Sequence, residues 1–129
     1  MRVVAFTLPF ALPSLNQTLR THWAKRGRQR DKLAWEIMAQ LGGPAHFPRP
    51  MFERCRVTVT RHGTKLLDHD NLAGSCKLLV DSLCAPSKRH PMGLGIIVDD
   101  TPERCELIAK QDKRTNAPAT IVLVEELPP

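Results

Sequence analysis

The chain has 129 residues, 42% of them hydrophobic and 25% charged, with a formal net charge of +6. That length fits a single domain over residues 1–129 and excludes a second, and the composition excludes a disordered polyelectrolyte. No apolar run is long enough to cross a bilayer, and the opening Met1–Phe6 is soon interrupted by Pro9 and lacks the apolar core of an export signal, so a cytoplasmic protein with no membrane partner is expected.

Taken in chain order, Val3–Leu8 reads as a short apolar strand closed by Pro9 and Pro13. Ser14–Arg30 is polar, basic and broken by Gly27, which predicts a loop. From Asp31 to Leu41, Ala34, Ile37, Met38 and Leu41 recur at helical spacing, and Gly42-Gly43-Pro44 ends the helix. Ala45–Met51 is a linker. In Glu53–Arg61, Cys55, Val57 and Val59 alternate with polar residues, the pattern of a half-buried strand, and His62-Gly63-Thr64 predicts a turn. Leu72, Cys76, Leu79, Val80 and Leu83 then fall at i, i+4, i+7, i+8 and i+11, one face of an amphipathic helix. Ala85–Gly93 is an exposed basic loop, Leu94–Val98 a short strand, and Cys105–Lys110 and Ala119–Val124 two further strands. Two main helices and about five strands predict an α+β fold, a mixed sheet with the helices packed on it.

Positive charge gathers in three places: Arg20, Lys25, Arg26, Arg28, Arg30 and Lys32; Lys88-Arg89-His90; and Lys110, Lys113 and Arg114. Such patches attract polyanions through counterion release, although solvated helix faces and loops look the same. Cys55, Cys76, Cys84 and Cys105 form no CxxC pair, so reduced, largely buried thiols are expected, and no ligand spacing supports zinc.

Against this basic background the acids are concentrated. Asp68-His69-Asp70-Asn71-Leu72 stands where an extended segment meets a helix, Lys77 and Asp81 follow, and Asp99-Asp100 ends an apolar run. In an extended chain Asp68 and Asp70 share one side, with His69 opposite. Hard cations take carboxylate oxygens plus water and phosphate, so these residues could hold Mg²⁺, with Mn²⁺ as a substitute. Lys77 shares the polar helix face with Asp70 and Asp81 and would offset charge developing on a phosphate. Ordinary structural roles compete: Asp70 as a helix cap, Asp99-Asp100-Thr101-Pro102 as a turn, and Lys77–Asp81 as a surface ion pair.

The segments Asp68-His69-Asp70-Asn71-Leu72, Lys77-Leu78-Leu79-Val80-Asp81-Ser82-Leu83 and Gly95–Asp100 resemble the RusA family of Holliday junction resolvases. The opening Pro13-Ser14-Leu15-Asn16 is similar more weakly. The resemblance implies a Mg²⁺-dependent endonuclease that cuts four-way DNA junctions as a homodimer, with Asp68, Asp70 and Asp100 binding metal, Asp99 a further participant and Lys77 the catalytic lysine. Ala73–Cys76 is longer by three residues than the family's spacer, which moves Lys77 nearly one turn along the same face and leaves Lys110 as an alternative cation. The implied DNA-facing residues are Asn16, Arg20, Lys25, Arg26, Arg28, Arg30, Lys88, Arg89 and Lys110. A basic DNA-binding module without enzymatic activity is the alternative.

Overall fold

The computed structural model describes residues 1–14 and 23–129, with side chains omitted for 23–27. In order, the elements are β1 (Val3–Leu8), α1 (Trp23–Leu41), a short 3-10 turn (Pro44–His46), β2 (Cys55–Gly63), α2 (His69–Leu83), β3 (Cys105–Lys113) and β4 (Ala119–Glu126). The strands form one mixed sheet in the order β1-β4-β2-β3, in which β4 is antiparallel to both β1 and β2, and β2 is parallel to β3. Parallel neighbours need a connection that travels back along the sheet, and α2 provides it. This β2–α2–β3 unit places the start of α2 at the C-terminal end of β2 and its end near the start of β3.

Alternation decides which face of the sheet is covered. Cys55, Val57 and Val59 of β2, Phe6 and Leu8 of β1, and Val122 and Val124 of β4 are buried in one core with Leu33 and Ile37 of α1 and Leu72, Cys76, Leu79, Val80 and Leu83 of α2. All five α2 positions expected on the apolar face are buried. The opposite face carries Thr58, Thr60, Ile108, Lys110, Ile121 and Val3, and Val3 and Ile121 remain 56% and 42% exposed.

Buried polar groups fix the entry to α2. Arg61, only 8% exposed, donates from Nε to the Leu12 carbonyl (2.8 Å) and from Nη1 to the Lys65 carbonyl (2.9 Å). The Gln111 side chain forms two bonds to the Leu67 backbone, accepting from its N–H (2.9 Å) and donating to its carbonyl (2.7 Å). One residue later comes Asp68, the N-cap of the helix.

Several boundaries differ from the sequence reading, among them the end of β3, which runs on to Lys113 instead of Lys110. Helix α1 starts at Trp23, eight residues before Asp31, because the Arg, Lys and Gln residues there are good helix formers that outweigh Gly27, a residue that costs about 1 kcal/mol in a helix interior. His62 and Gly63 continue β2, paired with Asp112 and Lys113, and the His62 ring bonds the Asp112 carboxylate. Strand β4 runs on to Glu126. The expected strand Leu94–Val98 makes only isolated bridges, from Ile97 to Phe52 and to Cys84.

The reason is that Leu94–Ile97 spends its N–H groups on the carbonyls at the end of α2, and only Val98 donates elsewhere, to Phe52. Leu94 donates to Ser82 (3.0 Å), Gly95 to Cys84 (3.0 Å), and Ile96 and Ile97 to Leu83 (2.9 and 3.1 Å). These satisfy carbonyls that a helix C-terminus otherwise leaves orphaned. Glycine is needed for the return: a Cβ on Gly93 would stand 2.5 Å from the Cys84 carbonyl oxygen, and Gly95 adopts φ +71°.

Candidate metal centre

Asp68 is the N-cap of α2: its Oδ1 accepts from the Asn71 N–H (2.9 Å), and its Oδ2 accepts from the Asn71 side-chain amide (2.7 Å). These bonds hold the Asp68 carboxyl below the usual carboxylate range. Asp70 lies inside the first turn and is exposed, as is His69. Because the helix has already begun, the extended-chain argument that put Asp68 and Asp70 on one side does not apply.

The other acids gather at the opposite end of α2. Lys77, Asp81, Cys84, Arg89, His90, Asp99 and Asp100 line an open hollow of about 620 Å³. The return of Leu94–Val98 to the helix end delivers Asp99 and Asp100 there. The carboxyl of Asp81 donates to that of Asp100, and Asp99 Oδ1 accepts from the Asp100 N–H (2.8 Å). Burial first, then the neighbouring Asp100, pushes Asp81 up to about 6 against the opposing pull of Lys77 and Arg30. Asp100 is held low, chiefly by the proton it receives from Asp81. Below about pH 6 the two carboxyls share one proton, and a dication that takes both as oxygen donors displaces it.

The shared proton has a consequence for stability. Asp81 binds its proton more tightly in the folded chain than at its ordinary value of 3.8, so its contribution in metal-free protein is lost as pH rises from 3.8 through about 6. Asp100, shifted down, contributes in the opposite sense, losing its share only as pH falls below its ordinary range. Across that window the melting temperature of the wild type is expected to fall relative to that of Asp81→Asn. Parallel melting curves for the two proteins would refute the shared proton.

No protein-family model and no curated protein sequence matches the chain.

Of the residues singled out in the sequence, Lys77, Arg89, Asp99 and Asp100 meet at the hollow. Asp68 and Asp70 do not join them within one chain. Asp68 precedes Asp81 by thirteen residues, about 20 Å along a helix. Lys110 lies on the uncovered sheet face opposite Thr60, away from the helices, so Lys77 is the lysine at the acids. Arg28 and Lys88 are exposed, and Arg30 is near enough to Asp81 and His90 to bias both. Asn16 lies outside the described residues, as does Arg20, and the side chains of Lys25 and Arg26 are also outside them.

Three residues carry no site role in the sequence reading. Asp81 is half-buried beside Asp100; four residues after Lys77, it reads along the chain as half of a surface ion pair. Cys84, the C-cap of α2, turns a thiol toward the same acids. Trp35 is 58% exposed on the outer side of α1, where Arg28 and Lys32 share its face at helical spacing. The first of these had a legible signal, an acid at the end of an apolar helix face; the others depend on the tertiary fold.

No helix among the described residues is long and apolar enough to cross a membrane.

Proposed function

We propose that the protein is a Mg²⁺-dependent endonuclease acting on branched DNA, with the hollow at the end of α2 as its metal centre. The observation that carries this reading is the Asp81–Asp100 carboxyl pair with Asp99 adjoining and Lys77 on the rim, in a chain of net charge +6. The donors are oxygens, as Mg²⁺ or Mn²⁺ requires. A dication held there would polarise a phosphate oxygen and lower the pKa of a bound water. Asp100 and Asp81 supply the anionic donors, Arg89 holds a phosphate by its charge, and the Lys77 ammonium offsets negative charge as the phosphodiester bond breaks.

The resemblance to the RusA resolvases adds four-way junctions as substrate and a homodimer as the working form. The dimer also accounts for the two separated acid sets. A two-fold axis passing beside α2, at right angles to it and level with its middle, would set a second helix antiparallel against the first and bring Asp68 and Asp70 of one copy toward Asp99 and Asp100 of the other. It does so twice, giving two equivalent centres for two symmetric cuts. The outer side of α2 near that axis is small, with Ala73 and Gly74 half-buried, which suits close approach of a second helix. The test is cleavage of a labelled four-way junction against linear duplex with Mg²⁺: paired cuts in the junction support the reading, and equal or absent cutting opposes it.

The non-enzymatic alternative is favoured by one observation, the cap bonds of Asp68, which give that acid a structural role without metal. Asp68→Ala is expected to lower Tm by roughly a few degrees through loss of the cap. If the protein only binds DNA, that change leaves every DNA readout untouched; if it is a nuclease, cutting falls as well. In both readings Trp35 offers a stacking surface beside basic residues. Trp35→Ala is expected to weaken binding to single-stranded or branched DNA roughly 5- to 150-fold, the value of about 1–3 kcal/mol per stacked base. A binding titration with unchanged Kd would remove Trp35 from the interface.

A further inference from the structure

We propose that Cys84 supplies a thiolate ligand to a transition-metal dication such as Zn²⁺ or Co²⁺, bound together with Asp99 and Asp100 in the hollow at the end of α2. This deepens the metal-centre reading above by naming a second class of ion for the same place.

The Cys84 Sγ and one carboxylate oxygen each from Asp99 and Asp100 lie within 4.8 Å of one another. A tetrahedral ion with metal–ligand bonds of about 2.0–2.3 Å sets its ligand atoms roughly 3.3–3.8 Å apart, so the three atoms stand within about 1.5 Å of the spacing the ion needs. Cys84 is held firmly for this purpose. Its N–H donates to the Asp81 carbonyl (3.3 Å), its carbonyl accepts from Gly95 (3.0 Å), and it bridges to Ile97. Among the described residues its thiol donates to the Val80 carbonyl, at 3.4 Å.

A second observation points to the same ligand. His90 lines this hollow, and its Nδ1 is wholly buried with no hydrogen-bond partner among the described residues. A buried polar atom left unsatisfied costs about 1–3 kcal/mol, which a metal or a metal-bound water would recover. Sulfur with two carboxylate oxygens suits zinc and cobalt, whereas magnesium takes oxygen alone, and the fourth position is left to a water that His90 Nδ1 would hydrogen-bond. Binding exchanges bonds without moving electrons between oxidation states: the Cys84 S–H proton leaves to solvent as the sulfur–metal bond forms.

The test is titration of the metal-free full-length protein with Co²⁺, followed by near-ultraviolet absorption. One equivalent is expected to produce a thiolate-to-cobalt charge-transfer band. Cys84→Ser and Cys84→Ala are expected to lose the band and to bind Co²⁺ at least about tenfold more weakly, since even residues behind the ligands alter affinity by ~10–100-fold. Absence of the band in the wild type, its survival in the Cys84 variants, or its loss in Cys105→Ala with retention in Cys84→Ser would each overturn the proposal. No DNA is present in this experiment. A normal cobalt band with no Mg²⁺-dependent cutting would uphold this site and remove the nuclease reading; the reverse result would do the opposite.

Discussion

Asp100→Asn is expected to slow Mg²⁺-dependent cleavage at least about 100-fold, the scale on which a single group stabilising transition-state charge is lost. Asn has nearly the volume of Asp, and its carbonyl still accepts from Asp81, so the hollow keeps its shape. What disappears is the more acidic member of the pair, the carboxylate that stays ionised at pH values where Asp81 still carries its proton. Binding to a junction should persist, since the cationic groups are untouched, and is followed in the same preparation by gel shift. Cutting by the variant within a few-fold of wild type would remove Asp100 from the chemistry.

Leu83→Ala is expected to destabilise the fold by about 2–5 kcal/mol, as for other fully buried leucines. Leu83 is 0% exposed, and its carbonyl accepts from both Ile96 and Ile97. Its side chain therefore anchors the helix end to which the Asp99-Asp100 segment is tied. Truncation removes buried apolar surface and leaves a cavity beneath that return, so loss of stability should be accompanied by weaker Mn²⁺ binding. Urea denaturation gives the first quantity and calorimetry the second. A loss of stability under 1 kcal/mol would contradict the packing described for α2.

Much of this was legible along the chain. The spacing of Leu72, Cys76, Leu79, Val80 and Leu83 gave the buried face of α2, and the alternation of Cys55, Val57 and Val59 gave β2, because each pattern matches one repeat of backbone geometry. Asp99, Asp100 and Lys77 stood out by chemistry and meet in space. The distance between Asp68 and Asp100 was not legible, because it follows from the parallel pairing of β2 with β3, a long-range contact that local patterning does not encode. With that pairing, a residue before α2 and a residue before β3 stand at opposite ends of the sheet. The Leu94–Val98 run misled for a related reason. It is apolar like a strand, yet its backbone donors are taken by the end of a helix, which only the folded chain reveals. Asp81 and Cys84 gained their significance from the same return.

The central claim is a metal centre shared between two copies, with Asp70 from one and Asp100 from the other. The direct measurement is complementation: Asp70→Asn and Asp100→Asn proteins are assayed separately on a four-way junction, then dissociated, mixed and reassociated. Each alone is expected to be inactive. In a mixed dimer, the Asp100→Asn chain brings an intact Asp70 to the intact Asp100 of the other chain, restoring one centre and nicking one strand of each junction. A mixture as inactive as its parents, or an Asp70→Asn protein that cuts at the wild-type rate alone, would contradict the account.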